Sequence, residues 1–507
     1  MDIMVSVLRR PLQSIELLFS RIFSDAWNPW YQLGALSFFF YWIVAISGLY
    51  LYIFFDTSIY GAYHSVEQLT HEQWYLGGIM RSLHRYASDA MVISVTLHLL
   101  REFTLGRFRR IRWFSWCTGV PLLWLLFASA IGGYWLVWDE LALYIAILSS
   151  EWLDWLPIFN DPLARNFLSK ETLSDRFFSL LSFLHIALPL FLLLGMFIHI
   201  KRVTNAKSNP VKGLAVGTFA ALMVLSIAKP ALSSAPADLS MMPTDIQLDW
   251  IILNILPVID RLGYGPTWGL LTAFSLMLLI LPWLPSKEKV VPVQVDPDNC
   301  NGCAWCFQDC PYEAIEMKTH DFKIGHRQAV VDSDVCVACG ICVGACPSAT
   351  PFRSVDELIT GIDFPDFTLH KLLTQIDNEV AKLEGSPRIL LVGCDHAATV
   401  EKLNRNNLAA ISLCCTAQLP PSFITYYLQQ KQLDGIFVTG CGADCFYRQG
   451  SEWVEQRFQA ERRPHLRASV DRRRVQLSWA GPLELDRLES ELNQFEQSLL
   501  DPPENAA

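Results

Sequence analysis

The stretch that decides the fold is Gly77-Gly78-Ile79-Met80-Arg81-Ser82-Leu83-His84, which continues to Leu97-His98-Leu99-Leu100-Arg101. Its two histidines are fourteen residues apart. That is close to four whole helical turns, so both side chains face one side of a helix, about 21 Å apart along its axis. A second apolar stretch repeats the spacing with His185 and His199. Two such helices predict two bis-histidine haem sites, because neutral imidazole is an established iron ligand.

A single histidine in a membrane helix has an alternative interpretation as a helix–helix hydrogen bond or a proton relay. Two matched pairs favour haem. His84 is expected opposite His185 near the outer surface (the outer pair), and His98 opposite His199 near the cytoplasm (the inner pair). Glycines with the same spacing lie in the neighbouring apolar segments, namely Gly34, Gly48, Gly119 and Gly133. They are expected to let each haem approach the backbone, the alternative being ordinary close packing of membrane helices.

Two arginines flank the histidines of the quoted stretch. Arg81 precedes His84 by three residues, and Arg101 follows His98 by three. Both are predicted to pair with haem propionates, and the alternative is that they extend to the membrane surface.

Composition separates a membrane part from a soluble part. The chain is 52% hydrophobic and 18% charged, whereas soluble proteins carry about 25% charged residues. The excess lies in residues 30–285, where six segments are long enough to cross a bilayer. These segments are 32–55, 76–101, 117–138, 179–200, 213–230 and 265–284. The net charge of −10 gives no basic face, so nucleic acid is excluded as a partner.

The positions of Lys and Arg predict the orientation, because cytoplasmic loops are enriched in both. An inside N-terminus puts most of them inside: Arg9, Arg10, Arg21, Arg101, Arg107, Arg109, Arg110, Arg112, Lys201, Arg202, Lys207 and Lys212. The outside loops then carry Arg165, Lys170, Arg176 and Arg261. The prediction is a multi-pass protein of the cytoplasmic (inner) membrane, in contact with lipid and with both termini cytoplasmic.

Residues 1–31 are predicted to form an amphipathic helix on the membrane surface, since 5–23 alternate apolar residues with Arg9, Arg10, Glu16 and Arg21. No short apolar core followed by a small-residue cleavage site is present, so no cleaved signal peptide is expected.

Eight cysteines form two runs with the spacing C-x-x-C-x-x-C-x-x-x-C-P. This is the spacing of bacterial ferredoxins with two 4Fe–4S clusters, in which the fourth cysteine of each run binds the other cluster. One cluster is therefore assigned to Cys300, Cys303, Cys306 and Cys346. The other is assigned to Cys336, Cys339, Cys342 and Cys310. Zinc and disulfides are the alternatives, and ligand spacing favours a reducing, cytoplasmic compartment.

Five further cysteines follow short β-type runs at 389–392, 410–413 and 435–438. They are Cys394, Cys414, Cys415, Cys441 and Cys445. Cysteines at the carboxyl ends of strands converge in α/β sheets, and four thiolates suffice for a 2Fe–2S cluster. The alternative is thiols that hold no metal.

The membrane part resembles cytochrome b of the bc-type quinol-oxidising complexes over its first four segments. The quoted stretch and Gly132-Gly133-Tyr134-Trp135-Leu136-Val137-Trp138 carry the resemblance. The family has a Pro-Glu-Trp-Tyr quinol-site motif, and this sequence has Leu248-Asp249-Trp250-Ile251 in its place. The resemblance implies two haem b groups, a quinone or quinol as substrate and a homodimer as one alternative. It also implies that Asp249 and Trp250 mark an outer quinol site, with an exposed loop acid as the alternative.

Residues 388–460 resemble the iron–sulfur (delta) subunit of methyl-viologen-reducing hydrogenases. The resemblance rests on Gly440-Cys441-Gly442-Ala443-Asp444-Cys445-Phe446-Tyr447 and on Cys415-Thr416-Ala417. It implies a 2Fe–2S cluster on Cys394, Cys415, Cys441 and Cys445, with Cys415 preferred over Cys414. The family's second opening cysteine is replaced by Ala397, and His396 is a substitute ligand or a surface histidine. The resemblance also implies a cytoplasmic flavoprotein partner of the heterodisulfide-reductase type, or another soluble dehydrogenase.

The predicted fold is an all-α transmembrane bundle of six helices with a di-haem four-helix core, followed by an α+β two-cluster ferredoxin domain and a small α/β iron–sulfur domain. The predicted domains are 1–31, 32–286 (membrane), 290–350 (ferredoxin), 351–387 (helical connector), 388–482 (2Fe–2S) and 483–507 (C-terminal helix and a tail disordered from about 499).

The predicted function is electron transfer from a cytoplasmic dehydrogenase through the clusters and haems to quinone, as a subunit of a quinone-linked oxidoreductase. One alternative is quinol oxidation that drives reduction of a low-potential acceptor, by bifurcation or by the membrane potential at about 2.3 kcal/mol per charge per 100 mV. A second alternative is a redox-passive membrane anchor.

Overall fold

The computed structural model describes residues 2–109, 112–158, 174–201, 206–240, 246–285, 291–352 and 357–500. The chain forms two compact units, built mainly from Trp27–Arg202 with Ala206–Pro285 and from Ser286–Ala507. Four cations used for the predicted orientation lie outside the described residues, namely Arg110, Arg165, Lys170 and Arg202, as does the tail from residue 501.

The N-terminal half of the chain is helical. Its helices are α1 Asp2–Phe23, α2 Leu33–Phe54, α3 Gly61–His71, α4 Ile79–Thr104, α5 Trp113–Val137, α6 Glu140–Asp154, α7 Asp175–Ile200, α8 Lys212–Ala228, α9 Ile255–Leu262 and α10 Tyr264–Ile280. Each of the six predicted apolar segments coincides with one of these helices. The short helices α3, α6 and α9 lie between them and were not predicted.

Two helix pairs form the centre of the first unit: α2 packs along α4, and α5 along α7. Ala87 and Met91 of α4 are buried with Leu36 and Phe40 of α2 in one hydrophobic cluster. Glycine is required just before α4, because a Cβ on Gly77 would lie 2.7 Å from the backbone carbonyl oxygen of Leu69. The α3–α4 connection therefore brings the chain tightly back before the histidine helix begins.

Within the described residues, four helical stretches are long and apolar enough to cross a membrane: Pro29–Phe54, Trp113–Val137, Asp175–Ile200 and Tyr264–Trp283. Helix α8 is apolar but shorter. Helix α4 is more polar, and its side chains Arg81, Ser82, Ser94 and Arg101 are buried. A lipid bilayer favours apolar helices on the outside and a polar helix inside. This arrangement indicates that the chain is a membrane protein. Six crossings stay a prediction.

Helix α1 exposes apolar side chains along its length, including Val7, Ile15, Leu18 and Ile22. This exposure agrees with the predicted amphipathic character of residues 5–23.

The second unit is mixed α/β, as predicted. Its helices are α11 Trp305–Asp309, α12 Ile341–Ala345, α13 Leu369–Ala381, α14 Pro421–Gln429, α15 Gly450–Phe458 and α16 Leu485–Leu500. Its strands are β1 Gln294–Val295, β2 Ile315–Thr319, β3 Arg327–Val331, β4 Ile362–Asp363, β5 Ile389–Cys394, β6 Leu408–Leu413, β7 Gly435–Gly440 and β8 Val475–Trp479.

A four-stranded parallel sheet, in the order β6-β5-β7-β8, forms the C-terminal part. Its central strands β5 and β7 are buried throughout, which is typical of parallel sheets. Two small antiparallel ladders, β2–β3 and β1–β4, belong to the cysteine-run part. Strand β4 lies in the predicted helical connector: within its described residues only α13 is an α-helix, and β4 pairs with β1 instead.

Candidate haem and iron–sulfur centres

The four membrane histidines lie against the four glycines of the sequence pattern. A Cβ on Gly48 would lie 2.8 Å from His84 Cε1, and one on Gly133 would lie 2.9 Å from His185 Cε1. The corresponding distances are 3.5 Å for Gly34 and His98, and 3.3 Å for Gly119 and His199. The glycines of α2 thus face the histidines of α4, and those of α5 face the histidines of α7.

The outer pair has the separation that a shared metal requires. The ring centroids of His84 and His185 are 6.3 Å apart. Metal–imidazole bonds are about 2 Å long, so two rings that bind one metal from opposite sides have centres about 6 Å apart. The other two histidines, His98 and His199, lie against Gly34 and Gly119 of the same two helix pairs.

Hydrogen bonds hold three of the imidazoles at Nδ1. His84 Nδ1 lies 3.0 Å from the Val44 carbonyl oxygen, and His185 Nδ1 lies 3.1 Å from that of Ser129. A carbonyl only accepts, so Nδ1 carries the proton and Nε2 is left with a lone pair for iron. His199 Nδ1 lies 3.1 Å from Thr118 Oγ1. The donor set therefore fits haem.

The two arginines beside the histidines are internal. Arg81 donates from Nη1 to Thr70 Oγ1 at 2.5 Å and from Nη2 to Ser233 Oγ at 2.8 Å, and it pairs with Glu67. Arg101 is 4% exposed and lies over the Tyr31 ring at 5.5 Å. Neither side chain extends to a surface here, and their pairing with propionates remains a proposal.

Asp249 lies in a charged network beside the outer histidines. Its Oδ2 accepts from Tyr134 OH at 2.6 Å and from Arg85 Nη2 at 2.5 Å, and its Oδ1 accepts from the Ile251 backbone N–H at 2.8 Å. Arg85 also pairs with Asp89. The Asp249 side chain is 9% exposed, so it is not an exposed loop acid. Trp250, in contrast, is 72% exposed.

The cysteine runs have the same backbone conformation at matching positions. Gly302 and Ala304 have φ of 69° and 64°, and Ala338 and Gly340 have φ of 55° and 77°. These left-handed residues flank the second cysteine of each run, and they curl the loop so that several N–H groups point to one side. Each loop then leads into a short helix, α11 or α12.

The structure groups the cysteines in the crossed manner. One cavity is lined by Cys310 of the first run together with Cys336, Cys339 and Cys342 of the second. In the other group, burial and then the nearby Cys346, Cys303 and Cys300 raise the pKa of Cys306 to about 12.

Four thiols also meet at the carboxyl edge of the parallel sheet. Cys394 ends β5 and lies 3.6 Å from Cys441, measured between sulfurs, just after β7. Hydrogen bonds from Cys415 and Cys441 hold the pKa of the Cys445 thiol well below its usual range. A Cβ on Gly450 would lie 2.4 Å from Cys415 Sγ, so glycine is needed where α15 begins.

Cys414 points away from this group. Its Sγ lies 3.2 Å from the Cys339 carbonyl oxygen. His396 stacks on Phe446, with ring centroids 3.7 Å apart, and its Nε2 lies 3.3 Å from Tyr447 OH. The geometry therefore favours Cys415 over Cys414 as a candidate ligand and gives His396 an aromatic environment. None of the fourteen cysteines forms a disulfide, and no three described His, Cys, Asp or Glu side chains converge on a position for a single metal ion.

Known protein families match three parts of the chain. Residues 18–206 match cytochrome b/b6/petB, and residues 289–350 match the 4Fe–4S dicluster domain. Residues 389–501 match the delta subunit of methyl-viologen-reducing hydrogenase. The chain joins these three domains. The cytochrome b domain contains all four candidate haem histidines, and the other two domains contain the twelve candidate cysteine ligands.

Curated relatives match within the cytochrome b domain. Cytochrome b6 of Heliobacterium mobile is 31% identical over 135 residues, which are 27% of this chain and 63% of the relative. Cytochrome b6 of Heliomicrobium gestii is 30% identical over 135 residues, with the same coverage. The chain thus spans less than two thirds of these relatives. A solved structure titled Hyperthermophilic respiratory Complex III is 22% identical with a TM-score of 0.42, covering 51% of this chain and 76% of that one.

Several site residues have no signal in the sequence pattern. Arg85, Asp89 and Tyr134 become recognisable as site residues only when the fold places Asp249 beside them, although Arg85 directly follows His84 and Tyr134 lies in a stretch that carries the cytochrome b resemblance. Gly450 has no such signal either, because its steric role depends on the sulfur of Cys415, which lies far earlier in the sequence.

Proposed function

We propose that this chain is the membrane electron-transfer subunit of a quinone-linked oxidoreductase, which passes electrons from a soluble cytoplasmic flavoprotein or dehydrogenase to quinone. The observation that carries the proposal is that one chain builds two histidine pairs in a helical membrane unit and three cysteine quartets in its other unit. When bound, haem and iron–sulfur clusters supply one-electron carriers whose potentials are tuned by their surroundings.

The chain's own residues prepare these sites. The Val44 and Ser129 carbonyls fix the proton of His84 and His185 on Nδ1, which leaves the Nε2 lone pair available to bind iron. The left-handed residues of the cysteine runs direct backbone N–H groups toward the sulfurs, which favours thiolates and reduced, more negative clusters.

A second candidate function is supported by the network around Asp249. A carboxylate that accepts from Tyr134 and Arg85 beside the outer histidines is suited to take a proton from a quinol. In that case quinol is oxidised at the outer side, and a low-potential cytoplasmic acceptor is reduced. The two candidates share every redox site and differ in the direction of electron flow.

Anaerobic purification from detergent, with haem and iron analysis, tests the proposal. We expect about two haem b groups and about ten non-haem iron atoms per chain. His98→Leu should remove one haem and stop reduction of the other by a cluster reductant. His71→Leu is the matched control, because His71 is exposed and pairs with Glu67. A His98→Leu protein that keeps both haems would contradict the assignment, and haems unresponsive to quinol analogues would contradict the function.

A further inference from the structure

Two iron–sulfur sites of the second unit approach each other at Cys414. Cys414 precedes the candidate ligand Cys415, but its thiol lies 3.2 Å from the carbonyl oxygen of Cys339. Cys339 lines the cavity of the crossed quartet. Cys415, a candidate ligand of the 2Fe–2S site, is therefore linked to Cys339, a candidate ligand of the second 4Fe–4S site. The link consists of the peptide bond between Cys414 and Cys415 and the hydrogen bond from the Cys414 thiol.

Arg457 is buried in the second unit and donates hydrogen bonds to residues beside both sites. Its side chain is 1% exposed, and Nη1 donates to the Ala417 carbonyl oxygen at 2.8 Å. Its Nη2 donates to the Ile341 carbonyl oxygen at 3.2 Å and to Asp309 Oδ2 at 2.6 Å. Each of these three partners lies within two residues of a candidate ligand: Ala417 of Cys415, Ile341 of Cys342, and Asp309 of Cys310.

Two glycines of the second cysteine run, Gly340 and Gly344, also allow close contact with the turn that follows Cys415. A Cβ on Gly344 would lie 2.0 Å from the Ala417 carbonyl oxygen. A Cβ on Gly340 would lie 3.0 Å from the Gln418 side chain. Helix α12 of the crossed quartet therefore lies directly against the turn that follows Cys415.

We propose that Cys414 and Arg457 are positioning residues, which hold the Cys339–Cys342 loop against the 2Fe–2S site so that electrons pass directly between these two centres. The cluster on Cys336, Cys339, Cys342 and Cys310 is thus the exchange partner of the 2Fe–2S centre. One electron leaves one centre and enters the other, with no proton or further reactant. A buried ion pair is weak evidence for stability, and positioning explains why Arg457 and Asp309 are placed here. The inference rests on the cluster content proposed above.

The test uses the full-length protein and electron paramagnetic resonance. The microwave power that half-saturates the 2Fe–2S signal is measured with the 4Fe–4S clusters oxidised and then reduced. Wild type should show a several-fold rise on cluster reduction, because a nearby paramagnet speeds relaxation. Arg457→Met combined with Asp309→Asn removes both members of the fully buried pair. Arg462, the second partner of Asp309, is 23% exposed, so its charge stays in contact with solvent and no buried charge is left unpaired. This double variant should lose most of the rise.

Matched variants separate positioning from general damage. Arg473→Met is the control for Arg457, because Arg473 pairs with Asp471 at the surface, and it should keep the full rise. Cys414→Ala should lower the rise, and Cys414→Ser, which retains a donor, should restore it.

The choice of cluster is tested by removing one ligand at a time. Cys342→Ser should reduce or abolish the rise, whereas Cys346→Ser should leave it. The opposite result, or an undiminished rise in the double variant with all clusters present, would overturn the inference alone. Wild-type protein without these cluster signals would instead overturn the proposed function, and the inference with it.

Discussion

The substitution Gly48→Ala should remove the outer haem, whereas Gly34→Ala should leave both haems bound. Both glycines lie on α2 and face a histidine of α4, so the two substitutions are chemically identical. They differ in space: the new Cβ would lie 2.8 Å from His84 Cε1 but 3.5 Å from His98 Cε1. The first distance forces the imidazole to move, and the second is an ordinary van der Waals contact.

The magnitude follows from two opposing effects. Alanine in place of glycine stabilises a helix interior by about 1 kcal/mol. Overpacking costs about 1–3 kcal/mol, and only Gly48→Ala incurs it. Displacing His84 from its hydrogen bond to Val44 adds to the loss at the haem site. A net loss of about 2 kcal/mol corresponds to a roughly 30-fold weaker haem affinity.

Haem content and redox titration of the purified protein measure the effect. Gly48→Ala should bring haem from about two toward about one per chain and remove one step of the titration. Gly34→Ala should keep both steps and unfold at an equal or higher temperature. Equal haem loss in the two variants, or loss of the inner haem in Gly48→Ala, would refute the assignment of these glycines to individual histidines.

Two further variants probe the other sites. Cys415→Ser should abolish the 2Fe–2S paramagnetic signal and Cys414→Ser should keep it, since only the Cys415 thiol lies with the Cys445 thiol; signals of equal strength would contradict the ligand choice. Asp249→Asn keeps the shape of the network but accepts a proton poorly, so quinol-dependent haem reduction in stopped-flow experiments should slow roughly 100-fold with haem content unchanged. A wild-type rate would argue against an outer quinol site at Asp249.

Periodic and local patterns were readable from the sequence. The fourteen-residue histidine spacing predicted side chains on one helix face, and the matching glycine spacing predicted glycines that face the same sites. The cysteine spacing predicted the crossed grouping, and the three β-type runs predicted strands whose ends gather the remaining thiols. Each of these signals depends on a few neighbouring residues and a regular backbone.

Contacts between buried charged residues that are far apart in the sequence could not be predicted from the sequence. Arg457 and Asp309 are 148 residues apart in sequence, and Arg85 and Asp249 are 164 apart. In sequence, Arg457 resembles the exposed arginines around it, because no local pattern marks a helix position that faces another domain. Short strand β4 was missed for a similar reason, since its partner β1 lies almost seventy residues earlier.

The N-terminus of α15 affects the reduction potential of the site beside it. Gly450 brings the first turn of this nine-residue helix against the Cys415 and Cys445 sulfurs, and the Ser451 backbone N–H bonds to Cys445. A helix N-terminus carries roughly half a positive elementary charge. That charge favours the more negative, reduced state of whatever the thiolates bind and raises its midpoint potential. Under the proposed function, a 2Fe–2S cluster held by these thiolates would therefore be reduced before the neighbouring clusters and would store the electron there.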